Sequence, residues 1–367
     1  PAGPVHLNFP FDEPLIEKKA LQQKLDLQEK IYNRLQIRKI ENEISEETLP
    51  DYLINQILTS ENVLIVCGEG LSEKELTHLI KFSENFQIPI FADVLSNLRF
   101  KFESKFILCH YENYLNEISN VGLIIRFGKK PNSKALNVLL DTDKEIVHLF
   151  DPIGRFNDDT QHIHSHSILE FQLTGEKLDQ TDFNQKLIDA EDENNSNLNH
   201  YVFKLLNSIP EKSQLFIGNS LPIREFDKIA SNINKEIIVL GNRGASGIDG
   251  IISSTIGMAI ANPEKQTILV IGDVSFYYDI SALQLAKNLN VNLTIFVINN
   301  GGGQIFNKLP YANYGIKDFE KFWLTNPNLN IEKTADLFGF NFLRIDDLEK
   351  FEDLPNYKLQ IKEVIIS

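Results

Sequence analysis

The chain has 367 residues, 42% of them hydrophobic and 24% charged, with 51 acidic against 36 basic side chains and a formal net charge of −15. That length is too great for one typical core and predicts two globular domains. The acidic balance excludes nucleic acid or an anionic membrane surface as the main partner, yet a small anionic substrate needs only a few local cations. No apolar stretch approaches the length that spans a bilayer, so no transmembrane segment is expected.

The chain opens on Pro1-Ala2-Gly3-Pro4 without an initiator Met, and Val5–Phe9 reads as a terminal strand. Upstream material is therefore expected, and 1–47 reads as the end of a missing domain plus a charged, helix-favouring connector over Glu17–Glu47. From Asn62 strands and helices alternate. Val63–Cys67 is a strand, Gly68-Glu69-Gly70-Leu71-Ser72 a turn and Glu73–Phe86 a helix. Ile88–Ala92 and Val121–Phe127 are strands, Lys134–Leu140 a helix and Ile146–Phe150 a strand. Cys67 and Cys109 each adjoin an apolar run, which predicts two reduced, buried thiols in a cytoplasmic protein.

The polar run Ala190–Asn197 reads as a linker between a central domain, 48–189, and a second domain, 198–367. Beyond it, strands are expected at Leu215–Ile217, Ile237–Leu240, Thr267–Ile271 and Leu293–Ile298, and helices at Pro222–Ala230, Gly250–Ala261 and Ile280–Leu289. A further helix begins at Thr334–Leu337, and Glu363–Ile366 is a last strand. The rhythm predicts two doubly wound, mostly parallel α/β domains.

Gly272-Asp273-Val274-Ser275 closes one predicted strand, and Asn299-Asn300-Gly301-Gly302-Gly303 closes the next. Ligands of open parallel sheets bind at that edge, so Asp273 and Asn300 are expected to aim oxygens at one point. A Mg²⁺ ion (or Mn²⁺) bridging a diphosphate needs such hard oxygen ligands, with a backbone carbonyl, best placed at Gly302, completing the set. The helix after Asp273 presents free N–H groups to phosphate.

Strand, Gly-Asp, helix, strand, Asn-Asn resembles the diphosphate motif of thiamine-diphosphate enzymes, with Val274 where that motif ends in glycine. Gly218-Asn219-Ser220-Leu221-Pro222-Ile223-Arg224, Asn242-Arg243-Gly244-Ala245-Ser246-Gly247-Ile248-Asp249-Gly250 and Gly302-Gly303-Gln304-Ile305-Phe306 resemble one family closely. It is the succinyl-enolpyruvyl-hydroxycyclohexene-carboxylate synthase family of menaquinone biosynthesis, in which a Gly-Asp-Leu-Ser type variant is usual.

The resemblance implies a carboligating transferase that decarboxylates 2-oxoglutarate and adds the succinyl unit to isochorismate. It implies thiamine diphosphate and Mg²⁺ as cofactors, with Asp273, Asn300 and the Gly302 carbonyl on the metal, and Gly272 and Ser275 at the diphosphate. Ile248 is implied as the wedge that bends the cofactor's two rings together, a proximity effect. Ser220, Ile305, Phe306 and Leu309 would line the pocket, Arg224 and Arg243 would clamp carboxylates, and Lys134 would reach the second substrate from the first domain. The activating glutamate is expected upstream, from a partner subunit of a homo-oligomer (a dimer or dimer of dimers). This chain is therefore expected to bind diphosphate and Mg²⁺ weakly and not to turn over.

Two other functions compete: a different thiamine-diphosphate carboligase or decarboxylase, such as an acetolactate-synthase relative, and a non-catalytic nucleotide-binding module. Gly68-Glu69-Gly70 follows a strand as a dinucleotide site requires, but Glu73 stands where the third glycine belongs. His162-Ile163-His164-Ser165-His166 offers three imidazoles without a fourth ligand and reads as an exposed strand end. Trp323 reads as core or interface packing.

Overall fold

The computed structural model describes residues 51–366 except 153, 155–157, 174–180, 195–198, 234, 316 and 352–357. The strand expected at Val5–Phe9 and the connector Glu17–Glu47 lie outside the described residues. The first sheet comprises β1 (Val63–Cys67), β2 (Ile90–Ala92), β3 (Ile107–Leu108), β4 (Leu123–Phe127), β5 (Val147–Phe150) and β6 (His162–His164). Its order is β3-β2-β1-β4-β5-β6, and every pairing is parallel. Helices α1 (Asp51–Thr59), α2 (Glu73–Phe86), α3 (Leu98–Lys101), α4 (Lys134–Thr142) and α5 (Thr181–Asn194) accompany it. β1 and β4 are apolar on both faces and wholly buried, the texture of a parallel strand covered on each side.

The second sheet comprises β7 (Gln214–Ile217), β8 (Ile238–Leu240), β9 (Thr267–Gly272), β10 (Leu293–Asn299), β11 (Asn341–Ile345) and β12 (Leu359–Ile365). It too is all parallel, in the order β11-β12-β10-β9-β7-β8. Helices α6 (Tyr201–Ser208), α7 (Leu221–Ile229), α8 (Ile251–Ala261), α9 (Asp273–Tyr278), α10 (Ala282–Leu289) and α11 (Ile331–Phe338) complete it. Two doubly wound α/β sheets are thus what the alternating pattern specified. β11 had no reading in the sequence, because Asn341-Phe342-Leu343-Arg344-Ile345 is a half-exposed strand at the sheet edge.

Part of the run expected as a linker is ordered helix. α5 continues to Asn194, and Glu191 within it accepts hydrogen bonds from the Cys109 N–H (2.8 Å), the His110 N–H (2.9 Å) and the Tyr114 hydroxyl (2.8 Å). Those partners lie far away in the chain, so the local composition reads as solvated while the tertiary structure binds the run down. The two sheets also share a core, in which Val94, Leu95 and Phe100 pack with Leu205, Ile223, Phe226 and Val270. Beside it the fully buried Arg99 donates to the carbonyls of Ala92 (2.7 Å), Asp227 (2.7 Å) and Ala230 (2.9 Å), and pairs with the Asp227 carboxylate at 2.8 Å. Asp227 also accepts from the Val94 N–H at 3.0 Å and from the Tyr111 hydroxyl at 3.2 Å.

Candidate functional site

β9 and β10 are neighbours in register, Gly272 opposite Ile298, so Asp273 and Asn300 follow adjacent strand tips. Both border a cavity of about 300 Å³ whose wall also includes Ser220, Ile248, Gly272, Ser275, Gly302, Ile305 and Phe306. The cavity therefore gathers residues from four separate turns.

Asp273 is buried at 5% exposure, with its Oδ1 accepting from the Val274 N–H (2.9 Å) and its Oδ2 from the Gly302 N–H (2.7 Å). Burial raises its pKa, and the hydrogen bonds from backbone N–H groups only partly offset that cost. A cation beside the carboxylate would remove the penalty. The Asn300 amide has no side-chain partner among the described residues, whereas Asn299 is engaged with Glu363 at 2.7 Å. The Gly302 carbonyl accepts from the Gln304 N–H at 2.8 Å and keeps a second lone pair. Among the described residues no three His, Cys, Asp or Glu side chains are grouped to hold a metal. A metal here would draw on one carboxylate, one amide, backbone oxygen and ligand oxygen. That donor set suits Mg²⁺ and not zinc.

Gly302 is where the chain needs glycine. Its φ is +116°, and a Cβ would stand 2.5 Å from the Leu324 carbonyl oxygen. That contact brings the segment after β10 down over the cavity. Trp323, stacked on Phe319 at 6.0 Å and set edgewise to Phe306 at 5.5 Å, lines the wall with Phe322, Thr325 and Tyr278. The sequence reading put Trp323 in packing and missed the other three. The segment folds as short 3-10 and π turns without periodicity, so only the glycines at 301–303 could have signalled it.

The remaining candidates lie elsewhere. Arg224 is exposed in the first turn of α7, its Nη1 donating to the Ser220 carbonyl at 2.6 Å. Arg243 is half-buried and donates to Asn219 Oδ1 at 2.9 Å; burial, then the nearby Arg224 cation, lower its pKa. Neither guanidinium pairs with a carboxylate among the described residues. Arg243 borders a second cavity, of about 370 Å³, between the domains, together with Asp93, Lys129, Lys130, Asn132 and Asp159. Leu309 is half-buried outside both cavity walls, and Lys134, exposed at the start of α4, lines neither.

The competing sites meet physical obstacles. At the dinucleotide position Gly68 N–H is spent on the Phe127 carbonyl (2.8 Å) and Lys129 N–H on the Glu69 carbonyl (2.9 Å). The start of α2 is closed by a capping box between Ser72 and Glu75, so its amino end offers little to a phosphate. Of the three imidazoles expected together, His162 and His164 flank His148, stacked on it at 4.6 Å and 5.0 Å, and His166 pairs with Glu170 instead. Cys67 and Cys109 are free and buried, and no described helix is long and apolar enough to cross a membrane.

Residues 232–360 match the family described as thiamine pyrophosphate enzyme, C-terminal TPP binding domain. The chain is 31% identical over 369 residues to the 2-succinyl-5-enolpyruvyl-6-hydroxy-3-cyclohexene-1-carboxylate synthase of Staphylococcus aureus strain bovine RF122 / ET3-1, covering 96% of this chain and 63% of the relative. It is 33% identical over 375 residues to the synthase of the same name from Staphylococcus aureus strain JH9, with the same two coverages, 96% and 63%. The chain thus spans less than two thirds of the length of these relatives.

Proposed function

From a chain homologous along 96% of its length to 2-succinyl-5-enolpyruvyl-6-hydroxy-3-cyclohexene-1-carboxylate synthases, and carrying a thiamine pyrophosphate-binding domain, we propose that it forms the diphosphate- and Mg²⁺-holding part of such an enzyme. The whole protein would join the succinyl unit of 2-oxoglutarate to isochorismate, in menaquinone biosynthesis, as a homo-oligomer in the cytoplasm. The observation that carries this reading is the cavity that gathers Asp273, Asn300, Gly302, Ser275 and Ile248 from separate turns.

Thiamine diphosphate supplies, when bound, a carbon acid that takes up a 2-oxo acid and releases carbon dioxide. The chain's own residues do the rest by binding and orientation. Asp273 and Asn300, with the Gly302 carbonyl, hold Mg²⁺ by oxygen. Ser275 and the N–H groups at the start of α9 that remain free take the diphosphate; Gly272 at the cap position has no side chain to compete for them, while the Val274 N–H is already given to Asp273 Oδ1. Ile248, Ile305 and Phe306 exclude water around the rings, and Ser220 adds a hydroxyl at the wall. Arg224 and Arg243, which form no ion pair with a carboxylate among the described residues, would take substrate carboxylates. No residue of this chain is assigned the activating role, so we expect the isolated chain to bind cofactor without turnover. The domain division 48–189 and 198–367 is part of the same proposal.

The test is a titration of the chain with thiamine diphosphate in the presence and absence of Mg²⁺, read through the fluorescence of Trp323, its one tryptophan. Mg²⁺-dependent quenching that Asp273→Asn abolishes is expected. Binding indifferent to both Mg²⁺ and this substitution would sink the assignment. Assaying the whole protein with 2-oxoglutarate against pyruvate separates it from an acetolactate-synthase relative.

A further inference from the structure

The segment between β8 and α8 has no regular secondary structure, and Gly244, Ala245, Ser246, Gly247 and Asp249 in it are exposed. Apolar packing cannot fix such a segment, yet it carries both Arg243 and Ile248. Besides the bond from Asn242 Nδ2 to Ser254 Oγ (2.9 Å), what ties it down is one buried amide. Asn219, 1% exposed, donates from Nδ2 to the carbonyls of Asn242 (2.9 Å) and Gly247 (2.7 Å), while its Oδ1 accepts from Arg243 Nη1 (2.9 Å).

The amide is itself held firmly. Gly218, just before it, donates its N–H to the Val270 carbonyl of β9 at 2.7 Å, and the Ile223 N–H of α7 returns to the Gly218 carbonyl at 3.2 Å. Ser220, just after it, has φ +73° and ψ −127°, a conformation that costs a non-glycine residue about 1–3 kcal/mol. A strained turn persists where its surroundings over-determine it, and Asn219 supplies three of those constraints.

We propose that Asn219 is a positioning residue of the cavity: its single amide sets the direction of the Arg243 guanidinium and the place of Gly247, hence of Ile248, relative to Ser220. The residue type follows from the task. Two carbonyls and one guanidinium N–H call for two donors and one acceptor on the same planar group, which only Asn and Gln provide. An aspartate would offer the acceptor but no donors, and it would neutralise a cation that makes no ion pair with a carboxylate among the described residues. The amide orients Arg243 with one of its five N–H groups and leaves its charge for an anion. What Arg243 and Ile248 do for a ligand rests on the function proposed above; the anchoring of their loop does not.

Two variants test it, Asn219→Ala and Asn219→Asp, by hydrogen exchange and by kinetics of the whole protein. In both, the Arg243 N–H, held by the Gly241 carbonyl at 3.1 Å, should exchange about 10-fold faster or more, the equivalent of one hydrogen bond's worth of opening, while the amides of 273–278 and 302–306 stay unchanged. The KM for 2-oxoglutarate should rise about 10-fold in Asn219→Ala and further in Asn219→Asp, with kcat within about threefold, since uniform binding is what is lost. Should Asn219→Ala fail to fold, Asn219→Asp still decides by exchange, because it keeps an acceptor for Arg243 and removes both donors to the loop carbonyls. Unchanged exchange of the Arg243 N–H overturns the proposal, and so does a loosened loop with an unchanged KM. Failure of the unsubstituted chain to bind thiamine diphosphate would count against the function alone, and the exchange comparison would still decide the role of Asn219.

Discussion

Adding one methyl group at Gly302 should damage both the fold and the cavity. At φ +116° any side chain is strained, which costs about 1–3 kcal/mol. The new Cβ would also stand 2.5 Å from the Leu324 carbonyl oxygen and 3.1 Å from the Asn326 backbone. That oxygen cannot yield cheaply, because it accepts from the Gly303 N–H at 2.6 Å. Overpacking of this kind costs about another 1–3 kcal/mol. The sum, about 2–6 kcal/mol, corresponds to a fall in melting temperature of about 3–8 °C for a protein of this size. Gly301→Ala is the control, since its φ of +78° is strained but its Cβ would meet nothing closer than 3.6 Å. It should lose only about 1 kcal/mol. Circular dichroism on heating reads the stability, and Trp323 emission reads the displaced wall. If Gly302→Ala melts within a degree of the parent, or no lower than Gly301→Ala, the close approach of the two segments is wrong.

Three more outcomes are expected. Arg99→Ala leaves Asp227 buried without its cation and should cost about 3–5 kcal/mol in denaturant unfolding; a loss under 1 kcal/mol would contradict the network drawn at that residue. His148 is held at about 4 by burial and then by the His164 and His162 rings, so the unfolded chain takes up its proton first. The stability it contributes is full above pH 6.5 and is lost as pH falls toward 4, by about 1–3 kcal/mol; His148→Phe should flatten that stretch of the stability profile. Burial pushes the Cys67 thiol far up and the Cys109 thiol up to about 12. Neither should react with a thiol reagent until the chain unfolds, and prompt labelling of the native protein would refute this.

Which parts of this molecule could be read from its letters follows from the range of the forces involved. Val63–Cys67 and, in the second sheet, Ile268–Ile271 are apolar without interruption, so their burial on both faces is a local property, and both strands lie where the pattern put them. Asp273 and Asn300 were legible as a pair because strand tips in a parallel sheet converge by construction. Asn219, Glu191 and Arg99 were not, because each is defined by partners far off in sequence that no period encodes. Trp323 and Phe322 escaped for a different reason: their position follows from one close backbone approach at Gly302. Lys134, chosen from its motif, is exposed and lines neither cavity, so the fold alone assigns it no partner.

The core common to both sheets bears on how the molecule can be divided. Severing the backbone between Asn194 and Asn199 would leave Val94, Leu95 and Phe100 on one piece facing water, and Leu205, Ile223 and Phe226 on the other. Each product would carry an oily scar and tend to clump. The two halves should therefore melt as one cooperative unit, and a genetic exchange of either half would succeed only if the donor brought a matching face.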